Sequence, residues 1–150
     1  MKECVLLPLL LALGACGDMP RDPEGTWDSI SRNGIIRIGI ATDEAAAAGT
    51  IGRGRRFLAT LNAQTGAESR IVEGATEPLL LRLEQGRLDM VLGPFAADTP
   101  WAHRASLGPI LAEEWVGEAP HQLRPAMRNG ENDWIGRVHR AAVAAGGTPG

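Results

Sequence analysis

Between residues 35 and 92 the chain alternates β-branched runs with leucine-bearing helical stripes, an order that leaves few folds open. Ile35–Ala41 (IIRIGIA) is almost continuously apolar, as a strand covered on both faces must be. Residues 55–64 place Phe57, Leu58 and Leu61 on one helical stripe, with Gly66 just past its end. A second strand is read over 68–73, around Ile71 and Val72. Thr76 is placed to cap a helix with Pro78 in its first turn and Leu79, Leu80 and Leu83 on its buried side; Gly86 ends it, and 88–92 (LDMVL) supply a third strand. Ahead of the first strand, Thr26 can cap a short helix through Trp27 and Ile30 that stops at Asn33 and Gly34. Right-handed crossovers then give a parallel three-stranded core with helices on its faces. Ligands of such sheets bind beyond the C-terminal strand ends, here 41–44, 73–76 and 93–99.

After Pro109 the pattern changes. Residues 111–116 (LAEEWV), a turn at 117–120 and 121–128 (HQLRPAMR) predict an antiparallel hairpin. A closing helix over 130–145 has Trp134, Ile135, Val138 and Ala142 on one face. At 150 residues, 44% of them hydrophobic, the chain suits one domain. A net charge of -3 without runs of like sign carries no nucleic-acid footprint.

The N-terminus reads MKECVLLPLLLALGAC: Lys2, an apolar stretch from Val5 to Leu13, then small residues, the layout of a secretory signal. Nine apolar residues make a helix of about 14 Å, far short of the roughly 30 Å a spanning segment needs. Leu13-Gly14-Ala15-Cys16 resembles the lipobox of bacterial lipoproteins, which implies that Cys16 becomes the acylated N-terminus after cleavage, carrying palmitate or a similar chain and holding the domain at a membrane. An ordinary signal peptide with an incidental cysteine is the other reading. These segments divide the chain into a signal (1–15), a lipidated cysteine with a flexible tether (16–26), an α/β domain (27–146) and a disordered tail (147–150). The expected location is the cell envelope, on the periplasmic side, at either the inner or the outer membrane. Cys4 and Cys16 are the only cysteines, so neither a disulfide framework nor a thiolate metal site follows.

Three stretches resemble the family 3 periplasmic solute-binding proteins, the substrate-binding components of ABC transporters. They are WDSISRNGIIRIGI from Trp27, LLLRLEQGRLDMVLG from Leu79, and Thr99-Pro100 followed by Pro109. The resemblance implies an α/β fold: a single small three-layer lobe like one lobe of a type II periplasmic binding protein, with a mostly parallel sheet and a β-hairpin in place of the second lobe. In the family an aromatic residue after the first strand packs on the ligand, and an arginine shortly after Thr-Pro pairs with its carboxylate. Here the first loop reads ATDEAAAAG, and the arginine nearest Thr99-Pro100 is Arg104, about two positions from the usual spacing.

Candidate ligand-binding residues are therefore Asp43, Phe95, Thr99, Trp101 and Arg104, with the rings as walls and the guanidinium as anchor; the alternative makes the rings rim packing and Arg104 a surface charge. Gly52, Gly54, Arg55 and Arg56 form a candidate anion loop at a helix start, or else a plain basic loop. His103, His121 and His139 lack metal-ligand spacing, and no serine sits in a nucleophile elbow, so no catalytic residue, metal or cofactor is expected. Two functions follow. One is weak binding of a small solute, amino-acid-like or anionic, for a transporter or sensor. The other is a degenerate, non-binding lobe that acts as an interaction or regulatory module for such a membrane protein.

Overall fold

The computed structural model describes residues 22–42, 48–116 and 118–149. Cys16, the expected signal segment and Asp43 lie outside the described residues. The elements are α1 (Thr26–Asn33), β1 (Ile35–Ala41), α2 (Ala48–Thr65), β2 (Glu68–Gly74), α3 (Thr76–Glu84), β3 (Met90–Ala96), a 3-10 turn (Pro100–His103), β4 (Ala105–Leu107), β5 (Ala112–Val116), β6 (Ala119–Arg128) and α4 (Asn132–Ala144). They build one six-stranded sheet in the order β2-β1-β3-β6-β4, with β5 also on β6. β1 pairs in parallel with β2 and β3, whereas β6 runs against β3, β4 and β5. The parallel core is thus the one the strand–helix order predicts.

Three layers follow from side-chain alternation along the strands. Ile36, Ile38, Met90 and Leu92 face one side, where Phe57 and Leu61 of α2, Ile30 of α1 and Trp134 and Val138 of α4 close the larger core. Val91 and Phe95 face the other, against Leu79, Leu80 and Leu83 of α3. Gly39 lets α3 approach: a Cβ there would stand 3.0 Å from Leu88 and 3.1 Å from Leu79. Gly34, Gly66 and Gly86 end their helices at φ 67°, 68° and 69°, as the sequence predicts.

The stretches that begin at Trp27 and Leu79 meet in one contact. The Asp89 carboxylate accepts hydrogen bonds from the Arg37 backbone N–H (2.7 Å), its Nε (3.1 Å) and its Nη2, and Arg37 Nη1 donates to the Gly86 carbonyl (2.8 Å). A charge-assisted fork at the strand starts therefore pins the β1–β3 register.

Several expectations are corrected. α2 begins at Ala48, not at 55, so the proposed glycine-rich anion loop is helical: Gly52, Gly54, Arg55 and Arg56 all lie within it. Tertiary packing outweighs propensity here, because Gly54 faces the sheet with Leu92 and Leu123 at 3.5 and 3.7 Å from the position of a Cβ. Thr26 and Thr76 stand inside their helices, with Gly25 and Ala75 at the caps. The third strand starts at Met90 and continues to Ala96. Residues 22–25, assigned to the tether, dock on α4 through Asp22, whose Oδ1 accepts from the amides of Asp133 (2.8 Å) and Trp134 (3.3 Å). The tail is held as well, since Thr148 and Ile110 exchange backbone hydrogen bonds. The hairpin forms, pairing 112–116 with 119–123, while the rest of β6 takes β4 on the same edge.

The helical setting of Gly52 gives a direct check. No atom comes within 4 Å of a Cβ there, so Gly52→Ala should stabilise the domain by about 0.5 to 1 kcal/mol in urea titration. A destabilised variant would return this segment to a loop.

Candidate functional site

The C-terminal ends of β1, β2 and β3 open into a cavity of about 530 Å³ roofed by the first turns of α2. Ile40, Ala41 and Thr42 come from the end of β1, Glu73 from the end of β2, and Leu92 and Pro94 from β3. Thr50, Ile51, Gly54, Arg55 and Leu58 line the α2 side, and the hairpin adds Glu114 and Leu123. The walls are mostly aliphatic, with polar groups at Thr42, Thr50, Arg55, Glu73 and Glu114. Thr50 Oγ1 donates to Glu114 Oε2 at 2.8 Å, which ties the hairpin to the helix start. A shallower hollow of about 520 Å³ adjoins it, shares Thr50 and Glu114, and adds Arg53, Glu113 and Thr148.

The residues nominated after Thr99-Pro100 lie elsewhere. Phe95 points to the opposite face of the sheet from Leu92 and Pro94 and is 3% exposed in the α3 core. Thr99 caps the 3-10 turn, its hydroxyl accepting from the Trp101 amide. Trp101 packs on the α3 core, with the Arg104 guanidinium 4.5 Å above its ring. Arg104 Nη2 also meets Glu84 Oε2 at 2.6 Å. That stack and ion pair occupy the guanidinium on the α3 side, away from the cavity. Of the candidate anion loop, Gly54 and Arg55 line the cavity, whereas Gly52 and Arg56 do not.

Sequence reasoning marked the strand ends but missed Thr50, Glu73 and Glu114 as site residues. Glu73 was legible from its position at the end of the second strand. Glu114 was not, because it reaches the cavity only through the β5–β6 pairing. Among the described residues no cluster of three His, Cys, Asp or Glu could hold a metal, and no helix is long and apolar enough to cross a membrane.

Among solved structures, a point mutant of the arginine-bound form of domain 1 of TmArgBP, from T. maritima, superposes with a TM-score of 0.63 at 13% identity, covering 79% of this chain and 96% of that one. The fold matches that of one lobe of a type II periplasmic binding protein. An amino acid ABC transporter substrate-binding protein from Streptococcus pneumoniae bound to L-arginine shares this lobe with a TM-score of 0.63 at 8% identity, over 79% of this chain and 91% of that one. The ancestral amino-acid-binding protein AncCDT-1, described as a precursor of cyclohexadienyl dehydratase, gives 0.64 at 10% identity, over 79% and 92%. No protein-family model and no curated protein matches the chain. At these identities the likeness establishes the lobe's architecture, not its ligand.

Proposed function

We propose that this chain is an envelope lipoprotein, anchored through Cys16 on the periplasmic side, whose single lobe binds a small amino-acid-like solute in the cavity beside α2. The observation that carries this reading is the cavity itself: its volume of about 530 Å³ falls within the roughly 300 to 1,000 Å³ of small-molecule sites, at the sheet end where α/β folds place them. Two carboxylates and one guanidinium on aliphatic walls suit a solute with an ammonium, a carboxylate and a short apolar body. Arginine-bound neighbours with the same lobe support that class. One open lobe leaves a ligand face wet, so binding in the roughly millimolar range fits.

A thermal-shift screen of the chain from Asp22 onward against amino acids, organic anions and polyamines tests the reading. A true ligand at ten times its Kd adds about 1.4 kcal/mol, or about 5 °C in Tm. Glu73→Gln should abolish the shift for an ammonium-bearing ligand and leave the unliganded Tm nearly unchanged. A shift that survives both Glu73→Gln and Gly54→Leu, which fills the cavity, places binding elsewhere.

One observation favours the second reading, that of a non-binding interaction module for a membrane transporter or sensor. Trp115 on the hairpin is 73% exposed, and a large exposed aromatic is a common anchor of protein interfaces. Under that reading no solute shifts the Tm, and Trp115→Ala loses a partner that the wild-type chain retains.

A further inference from the structure

We infer that the short stretch between Cys16 and Asp22 holds the lobe with its strand starts toward the bilayer and its cavity facing away, so that the cavity serves a solute or partner across the envelope rather than one embedded in the anchoring membrane. The inference rests on the proposed lipid at Cys16; the orientation itself comes from the fold. Asp22 is fastened to the first turn of α4 by the amides of Asp133 and Trp134. That turn lies at the strand starts, because Trp134 Nε1 donates to the carbonyl of Asp89 at 2.8 Å, one residue before β3. Beside it, the Thr26 hydroxyl accepts from Arg128, the end of β6 that pairs with the first residue of β4.

From there α4 runs to the other end of the lobe, where Thr148 pairs with Ile110 and borders the hollow beside the cavity. The thirteen residues of α4 separate the two ends by about 20 Å, and the seven of β1 give the same figure of about 20 Å. The tether from Cys16 to Asp22 is six residue steps (22 minus 16), which drawn straight reach about 20 Å. Turning the cavity onto the bilayer would lift Asp22 by the strand length plus the residues past both strand ends, more than that tether spans. Trp115 stands at the far end too, since β6 pairs His121 with Ala96 at the close of β3 and the hairpin continues beyond.

The chain has no cysteine besides Cys4 and Cys16, so after signal cleavage and acylation a new cysteine is the sole thiol. Full-length protein carrying Arg87→Cys at the strand-start end, or Thr148→Cys at the cavity end, is labelled with a donor fluorophore. Each is reconstituted in phosphatidylethanolamine–phosphatidylglycerol vesicles that contain an acceptor-labelled headgroup. The label at 87 should transfer energy about twofold or more better than that at 148, the two differing by about 20 Å in height. A flexible insert of about 20 Gly/Ser residues after Gly17, whose ends average roughly 25 Å apart, should bring the two efficiencies together. Equal or reversed transfer with the native tether overturns the orientation, as does a difference that the insert leaves intact. Failure of the wild-type chain to bind vesicles any better than Cys16→Ser would instead remove the lipid anchor.

Discussion

Asp89→Ala should cost about 2 to 4 kcal/mol of folding stability, a large share of the roughly 5 to 15 kcal/mol a domain possesses. The carboxylate is 1% exposed and holds both the main-chain N–H and the guanidinium of Arg37. Its removal takes this acceptor from the half-buried Arg37 amide and frees the fork that aligns β1 with β3. The Arg37 side chain is 40% exposed, so water recovers part of the guanidinium's loss, which keeps the estimate below that for a fully enclosed pair. Asp89→Asn retains one acceptor for the amide and should lose about 1 to 2 kcal/mol. Urea midpoints at constant m-value measure both. An alanine variant within about 0.5 kcal/mol of wild type, the range of ordinary surface substitutions, would show that this contact does not hold the register.

The elements that sequence placed well are those in which local pattern and tertiary role agree. β1 has the bounds that IIRIGIA suggests because Ile36, Ile38, Gly39 and Ala41 are buried, on both faces of the sheet, and its other residues half-buried. Leu79, Leu80 and Leu83 of α3 are buried where their spacing puts them, and three glycines terminate helices as their freedom at positive φ allows. α2 was read seven residues short because Gly49, Gly52 and Gly54 are poor helix formers, and Gly54 belongs there only for the sake of the sheet it touches. Nothing local reports such a contact. β4 went unread for a similar reason: three residues gain a strand only by lying along β6.

The sheet end that holds the cavity was legible in the sequence, and of the nominated residues Gly54 and Arg55 line it, whereas Phe95, Thr99, Trp101 and Arg104 lie on the α3 side. The rule that ligands sit beyond parallel strand ends pointed to the end of the sheet where the cavity is found. The family pattern drew attention to the stretch after Thr99-Pro100, on the α3 side, where Trp101 and Glu84 already engage Arg104. Which face of β3 a residue occupies depends on register, and a shift of one position moves Phe95 from cavity wall to core. The 88–92 reading of that strand could not settle the point. Glu114 depends on the hairpin as well, so two pairings had to be known before the polar lining could be.

Glu131 should make this domain acid-sensitive in a way a single substitution removes. Its carboxylate is buried, with Oε1 accepting from the Glu24 amide and Oε2 from the Thr26 amide, each at 2.8 Å, and Arg128 Nη2 at 4.0 Å. Burial alone would raise its pKa; the Thr26 side chain, the two amides and Arg128 outweigh that and hold it below the ordinary glutamate value. A folded-state pKa below the unfolded one contributes stability that is complete above the unfolded value, about 4.3, and is lost as pH falls through the folded one. The contacts also explain why Gly25 can stand at the α1 cap without a side chain: Glu131 accepts from the Thr26 amide and Asp22 Oδ2 from that of Trp27, while Asp22 Oδ1 serves the first turn of α4. Glu131→Gln keeps one acceptor but turns an amide donor toward a backbone N–H, so at pH 7 it should lose about 1 to 3 kcal/mol. Between pH 5 and pH 3 the gap between wild type and variant should narrow, because protonation brings the wild-type carboxyl toward the variant's condition. Urea midpoints across that range, with both proteins in the same buffers, decide the matter: parallel curves would mean that the buried carboxylate contributes nothing through its charge. A gap that closes toward low pH would place the acid-labile joint at the end of the lobe where the chain enters the fold.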